Sequence, residues 1–159
     1  MILSIPKEII PGENRVAAIP ATIKEFIKNG LTVQIQRGAG KGSFLSDEDY
    51  TSLGAEIIAD AATLYAQSDL VLKVNPPVFN ENTGKHEADM LKPSSAFVSF
   101  FQTTIDIEAV QKFIDLNITG FSMHLVPRTT LAQKMDALSS QSNIAGYKAV
   151  LTGACHIAK

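Results

Sequence analysis

From Arg128 to Gln141 the chain reads RTTLAQKMDALSSQ, a run carrying a guanidinium, two side-chain amides, a carboxylate and four hydroxyls. Little of it can face an apolar core, because unpaired polar groups are costly to bury. Two uses fit such a run: a solvated connector with local caps, or hydrogen-bonding groups aimed at a ligand. If the segment is helical, positions 133, 136 and 140 share one face. Gln133 can donate and accept at once, so it can hold a carboxamide. Arg128 offers a planar fork suited to a carboxylate, a phosphate or Asp136 itself. An Arg128–Asp136 ion pair would order the loop instead.

Other residues invite chemistry less directly. Arg15 follows a Pro-Gly-Glu-Asn turn after the first apolar run, and Lys73 interrupts the apolar Val-Leu-Lys-Val. A lysine so placed lies on a sheet edge or faces a polar cleft at a strand end. The run Arg37-Gly-Ala-Gly-Lys-Gly-Ser-Phe44 follows a strand, where a dinucleotide fingerprint belongs. Its spacing is wrong: G-x-G-x-x-G must open directly into a helix, and here the glycines fall at 38, 40 and 42. They read as a tight turn beside the strand ends and not as a nucleotide phosphate site. His86, His124 and His156 have no metal-ligand spacing, so no metal is expected. Cys155 is the sole cysteine, which excludes an internal disulfide and suggests a reducing compartment.

These groups need a scaffold, and the chain is rich enough to build one. Of 159 residues, 45% are hydrophobic and 19% charged, a globular balance. Net charge is -2 with no basic block, which argues against nucleic acid as a partner. No apolar run approaches the length of a membrane span. Short β-branched runs alternate with helical patterns. Strands are predicted at 2–5, 31–35, 56–59, 69–74, 96–100 and 118–122. Helices are predicted at 20–29, opened by Pro20, at 46–53 with Ser46 as cap, at 61–67 and at 105–117. Alternation of this kind implies right-handed βαβ units and a mostly parallel, flavodoxin-like or Rossmann-like α/β sheet flanked by helices. Residues 76–87, PPVFNENTGKHE, read as a loop. From Asn143, the positions Ile144, Tyr147, Val150, Leu151, Ala154, Ile157 and Ala158 keep helical spacing to the last residue. A linker helix leading to a second domain is the expectation.

Five segments recur in order: Ile5-Pro-Lys-Glu8, Glu13-Asn-Arg-Val-Ala-Ala-Ile-Pro20, Arg37-Gly-Ala-Gly40, Gly54-Ala-Glu56 and Leu72-Lys-Val-Asn-Pro-Pro77. Together they resemble the N-terminal domain shared by alanine dehydrogenase and the alpha subunit of proton-translocating NAD(P) transhydrogenase. The segment Val126–Val150 is similar to the transhydrogenase pattern throughout. The resemblance implies an N-terminal α/β domain at 1–135 and, at 136–159, the start of a linker helix to an NAD-binding Rossmann domain that is missing here. Such a piece is expected to be inactive alone. The resemblance also implies that Arg128, Gln133 and Asp136, with Ser139 close behind, reach over the nicotinamide end of NAD(H). It implies direct hydride transfer between NADH and NADP+, with NADP(H) on a partner beta component and proton movement through a membrane domain. A homodimer, cytoplasmic and peripheral on the inner side of a bacterial plasma membrane, belongs to the same expectation. In alanine dehydrogenase the arginine and lysine matching Arg15 and Lys73 bind the substrate carboxylate. An acid/base histidine lies near Phe100-Phe-Gln102, where this chain has Gln102. A glutamine cannot shuttle that proton, so Arg15 and Lys73 are left as secondary contacts. Alanine dehydrogenase is the alternative enzyme, and a non-catalytic binding domain the alternative of another class.

Overall fold

The computed structural model describes residues 1–157. They form two compact units, Met1–Ser122 and a second that begins at Met123. The first is built on six strands: β1 (Ile2–Ile5), β2 (Thr32–Gln36), β3 (Glu56–Ile58), β4 (Leu70–Leu72), and, after a hairpin, β7 (Ala96–Ser99) and β8 (Thr119–Ser122). Their order is β3-β2-β1-β4-β7-β8, and every pairing is parallel. Chain direction across the sheet reverses between β1 and β4, the crevice where open α/β sheets place ligands beyond the carboxyl ends of their strands.

Burial on both faces explains the continuous apolar runs. In β4, Leu70 and Leu72 pack toward Leu3, Ile5, Val33 and Ile35, while Val71 turns the other way toward Phe97. The first face is covered by α1 (Pro20–Lys28) through Ile23 and by α2 (Asp47–Thr51) through Tyr50. The second is covered by α3 (Ala61–Gln67) through Tyr65 and by α4 (Ile107–Asp115) through Phe113. The end signals act as read: Pro20 opens α1, and Ser46 caps α2 in a capping box with Asp49. The elements match the sequence reading to within a few residues. Helix α4 is shorter than the predicted 105–117 because Gln102 N–H donates to Asp106 Oδ2 in the turn before it.

The segment 76–87 is more than a loop. It folds into an antiparallel hairpin of β5 (Phe79–Asn80) and β6 (Lys85–His86), with Phe79 opposite His86. Gly84 turns it at φ 66°, and its N–H donates to Asn80 O. Strands of two residues carry no readable period, which is why the sequence showed only turn residues.

Gly38 gives the turn its left-handed backbone at φ 70°, and Gly40 and Gly42 serve close packing. A Cβ at Gly40 would lie 2.8 Å from Leu45 Cβ and 2.9 Å from Tyr50 Cε2, and one at Gly42 would lie 2.8 Å from the Asn14 backbone. Gly40→Ala is therefore expected to cost about 1–3 kcal/mol in a urea titration, the penalty of overpacking. An unchanged midpoint would show that this turn relaxes freely.

The second unit holds a 3₁₀ turn at Met123–Leu125, another at Gln133–Met135, and α5 (Ala137–His156). Ile144, Tyr147, Val150 and Leu151 on α5 are 47–72% exposed. The helix ends at His156 with Ile157 as its C-cap, so it does not run to the last residue, and Ala158 lies outside the described residues.

Candidate functional site

The polar stretch is not one helix. Asp136, at φ -77° and ψ 76°, breaks the chain between the Gln133–Met135 turn and α5, so positions 133, 136 and 140 do not line a common helical face. The break has a local cause. Asp136 is the N-cap of α5: its carboxylate accepts from Ser139 N–H at 2.9 Å and from Ser139 Oγ at 2.6 Å. Those two bonds, and then the charge of Arg128, lower the Asp136 pKa. Arg128 acts at a distance here and closes no ion pair with Asp136, because the carboxylate is already spent on the cap. Asp136 and Ser139 are thus brought together as a cap. Arg128 and Gln133 are exposed, and neither side chain has a hydrogen-bond or ion-pair partner among the described residues. Gln133 thus offers an amide that can both donate and accept, and Arg128 an open planar guanidinium.

Lys73 and Arg15 lie in the first unit, past the carboxyl ends of β4 and β1. Lys73 is on neither an edge nor an open cleft. Strand β4 is central, and the Lys73 side chain is 0% exposed, with Nζ 2.8 Å from Glu87 Oε2 and 3.3 Å from Glu8 Oε2. The contact is an ion-pair cluster and not an aligned hydrogen bond. Both carboxylates are themselves fixed: Glu8 accepts from Val74 N–H at 2.7 Å, and Glu87 from Tyr65 Oη at 2.9 Å and Val78 N–H at 3.1 Å. Burial, then the charge of Glu87, pushes the Tyr65 phenol well up. Glu8, Glu87 and Tyr65 escaped the sequence reading. The one available signal was Lys73 itself, since a lysine inside an apolar strand demands a buried carboxylate.

Arg15 is held by Glu13 through Nε at 2.8 Å and Nη2 at 2.6 Å. This fork, helped by Asn75 Nδ2 at 3.0 Å, keeps the Glu13 carboxyl at about 2, below its ordinary 4.5. Arg15 and the glycine turn border a cleft of about 290 Å³ at the ends of β1 and β2. A carboxyl depressed on folding stabilises the fold above its unfolded pKa and loses that contribution as pH falls toward its folded pKa. Stability should therefore decline between pH 4.5 and about 2, and Arg15→Gln should flatten part of that decline. Parallel acid-denaturation curves would refute the pairing.

Gln102 is exposed, and its backbone starts the turn into α4. No helix among the described residues is long and apolar enough to cross a membrane, and no group of three metal-binding side chains gathers among them.

Comparison with known proteins places this geometry. The chain is 38% identical over 159 residues to an NAD(P) transhydrogenase subunit alpha protein of Rhodospirillum rubrum, covering all of this chain and 41% of that protein. It is 31% identical to alanine dehydrogenase of Methanococcus maripaludis, covering all of this chain and 40% of that one. Among solved structures it matches transhydrogenase from Sinorhizobium meliloti with a TM-score of 0.89 at 33% identity, covering 100% of this chain and 46% of the other. An L-alanine dehydrogenase matches with a TM-score of 0.71 at 25% identity, over 79% of this chain and 33% of the other. The chain thus spans about two fifths of the length of these two curated relatives. The family model described as alanine dehydrogenase/PNT, N-terminal domain, matches residues 4–145. The chain belongs to the alanine dehydrogenase/PNT N-terminal domain family.

Proposed function

We propose that this chain is the opening portion of the NAD(H)-binding component of a proton-translocating NAD(P) transhydrogenase. The observation that carries the reading is the contrast between two sets of cations and amides. Arg128 and Gln133 stand open on a stretch that matches the transhydrogenase pattern. Lys73 is sealed by Glu8 and Glu87, so a substrate carboxylate would have to displace them.

In this reading Gln133 holds the nicotinamide carboxamide, Arg128 supports it, and Asp136 with Ser139 fixes the start of α5 and the direction of the preceding turn. The bound nicotinamide supplies the hydride; the protein supplies orientation, because transfer needs the two C4 atoms held about 3–3.5 Å apart and no protein acid or base. NADP(H) belongs on a partner beta component, and proton movement on a membrane domain. The component is a homodimer, peripheral on the cytoplasmic face of a bacterial membrane. Residues 1–135 serve as its first domain and 136–159 as the start of the linker to a Rossmann domain that carries the adenosine and pyrophosphate site.

Likeness to alanine dehydrogenases keeps oxidative deamination of alanine as the second reading. Gln102 and the sealed Lys73 weigh against it. The two are separated by assaying the parent protein for hydride transfer from NADH to NADP+ with its partner component, and for NADH oxidation with pyruvate and ammonium. Turnover in the first assay alone is expected. Turnover in the second alone would overturn the proposal.

A further inference from the structure

Two segments that carry the family likeness, Ile5-Pro-Lys-Glu8 and Arg37-Gly-Ala-Gly40, have no part in the nicotinamide reading. They meet, with the β5–β6 hairpin, around a cleft of about 500 Å³ beyond the carboxyl ends of β1 and β2. What distinguishes this cleft is which hydrogen-bonding atoms remain unused.

Several of its acceptors are already engaged. Gln36 Oε1 accepts from Lys7 N–H at 2.9 Å, and Asn80 Oδ1 accepts from Asn82 N–H at 3.0 Å. Asp60 Oδ1 caps α3 by accepting from Thr63 N–H at 2.8 Å, and Glu8 is occupied by Lys73 and Val74 N–H. A backbone N–H can only donate, so these bonds also fix which end of each side-chain amide is oxygen. The nitrogens are therefore what Gln36 and Asn80 have left to offer. Neither Nε2 of Gln36 nor Nδ2 of Asn80 meets an acceptor among the described residues. Asn80 is 3% exposed, so its amide is a built, buried group and not a surface side chain. Lys7 and Arg37 line the same cleft and pair with no carboxylate among the described residues.

Two amide nitrogens fixed by their engaged oxygens, with two unpaired cations lining the same cleft, are complementary to a hydrogen-bond acceptor that carries negative charge. We propose that it binds a small oxyanion, a carboxylate or a phosphate group, through Gln36 Nε2, Asn80 Nδ2, Lys7 and Arg37. The site lies wholly within the first unit and stands independently of the transhydrogenase reading. Asp60 also lines the cleft as a carboxylate with no cation partner among the described residues, and the two cations Lys7 and Arg37 outnumber it.

The test is a titration of the full 159-residue chain, labelled with nitrogen-15, with inorganic phosphate and separately with acetate at constant ionic strength. The side-chain amide resonances of Gln36 and Asn80 are the readout. Saturable shifts confined to this cleft are expected. Saturation by phosphate alone would identify a phosphate group, and equal saturation by acetate a carboxylate. Asn80→Asp keeps the acceptor for Asn82 and replaces the free donor by an anion, so the apparent Kd should rise roughly tenfold or more. Arg37→Gln, an exposed change, should weaken binding in the same direction and serves if Asn80→Asp does not fold. Shifts that never saturate, or equal affinity in a folded Asn80→Asp or Arg37→Gln variant, would overturn the proposal.

Discussion

Lys73→Met is expected to lose about 3–5 kcal/mol of folding stability, the cost of removing one member of a buried ion cluster and stranding the others. Two carboxylates, Glu8 at 3% and Glu87 at 1% side-chain exposure, would remain with no cation between them. Methionine fills the volume of the lysine stem, so the loss would be electrostatic and not a cavity effect. The loss should be partly reversed by adding Glu87→Gln. That second change removes one stranded charge; the glutamine's one oxygen can still accept from Val78 N–H, and its amide nitrogen can donate to Tyr65 Oη, whose hydroxyl turns to accept. Urea midpoints of the single and double variants measure both effects. A Lys73→Met protein within about 1 kcal/mol of the parent would mean that the cluster contributes little, as buried ion pairs sometimes do when their desolvation is counted. The expectation concerns stability. Under the proposed transhydrogenase function, a correctly folded Lys73→Met should affect hydride transfer much less than the change considered next.

Under the proposed function, Gln133→Ala in the parent protein is expected to slow hydride transfer on the order of 10–100-fold, the scale of a small misplacement of reacting atoms. NADH affinity should stay within about twofold, because uniform binding energy would come from the rest of the nucleotide. Gln133 is exposed and its side chain bonds to no other described residue, so its removal should not disturb the fold. Single-turnover transfer against an NADH titration separates the two quantities. A large loss of affinity with normal transfer would refute the orienting role. Asp136→Ala asks a different question, since it removes the cap of α5 as well as a polar group.

Much of the architecture was legible in the residues alone. The short runs rich in β-branched and apolar residues at Ile2–Ile5, Thr32–Gln36 and Ala96–Ser99 became strands of a parallel sheet covered on both faces. Pro20 and Ser46 began helices where they stood, since a helix start needs only its own first turn to satisfy its free N–H groups. The ordered family segments pointed to a family that the comparisons bear out.

Tertiary structure decided the rest. Lys73 demanded a counter-charge, but nothing local said that Glu8 and Glu87 would supply it; they come from the end of β1 and from beyond the hairpin. The break at Asp136 depended on which of two partners its carboxylate took. Ser139, three residues away, prevailed over Arg128 because a cap costs less ordering than a long side-chain ion pair. Gln36 and Asn80 became donors facing one cleft only when backbone N–H groups claimed their oxygens, that of Lys7 from far along the chain. Local sequence determines where elements begin and which faces are apolar, because those depend on neighbours a few bonds away. Which polar atoms are left unpaired depends on the whole fold, and those atoms are the ones that can meet a ligand.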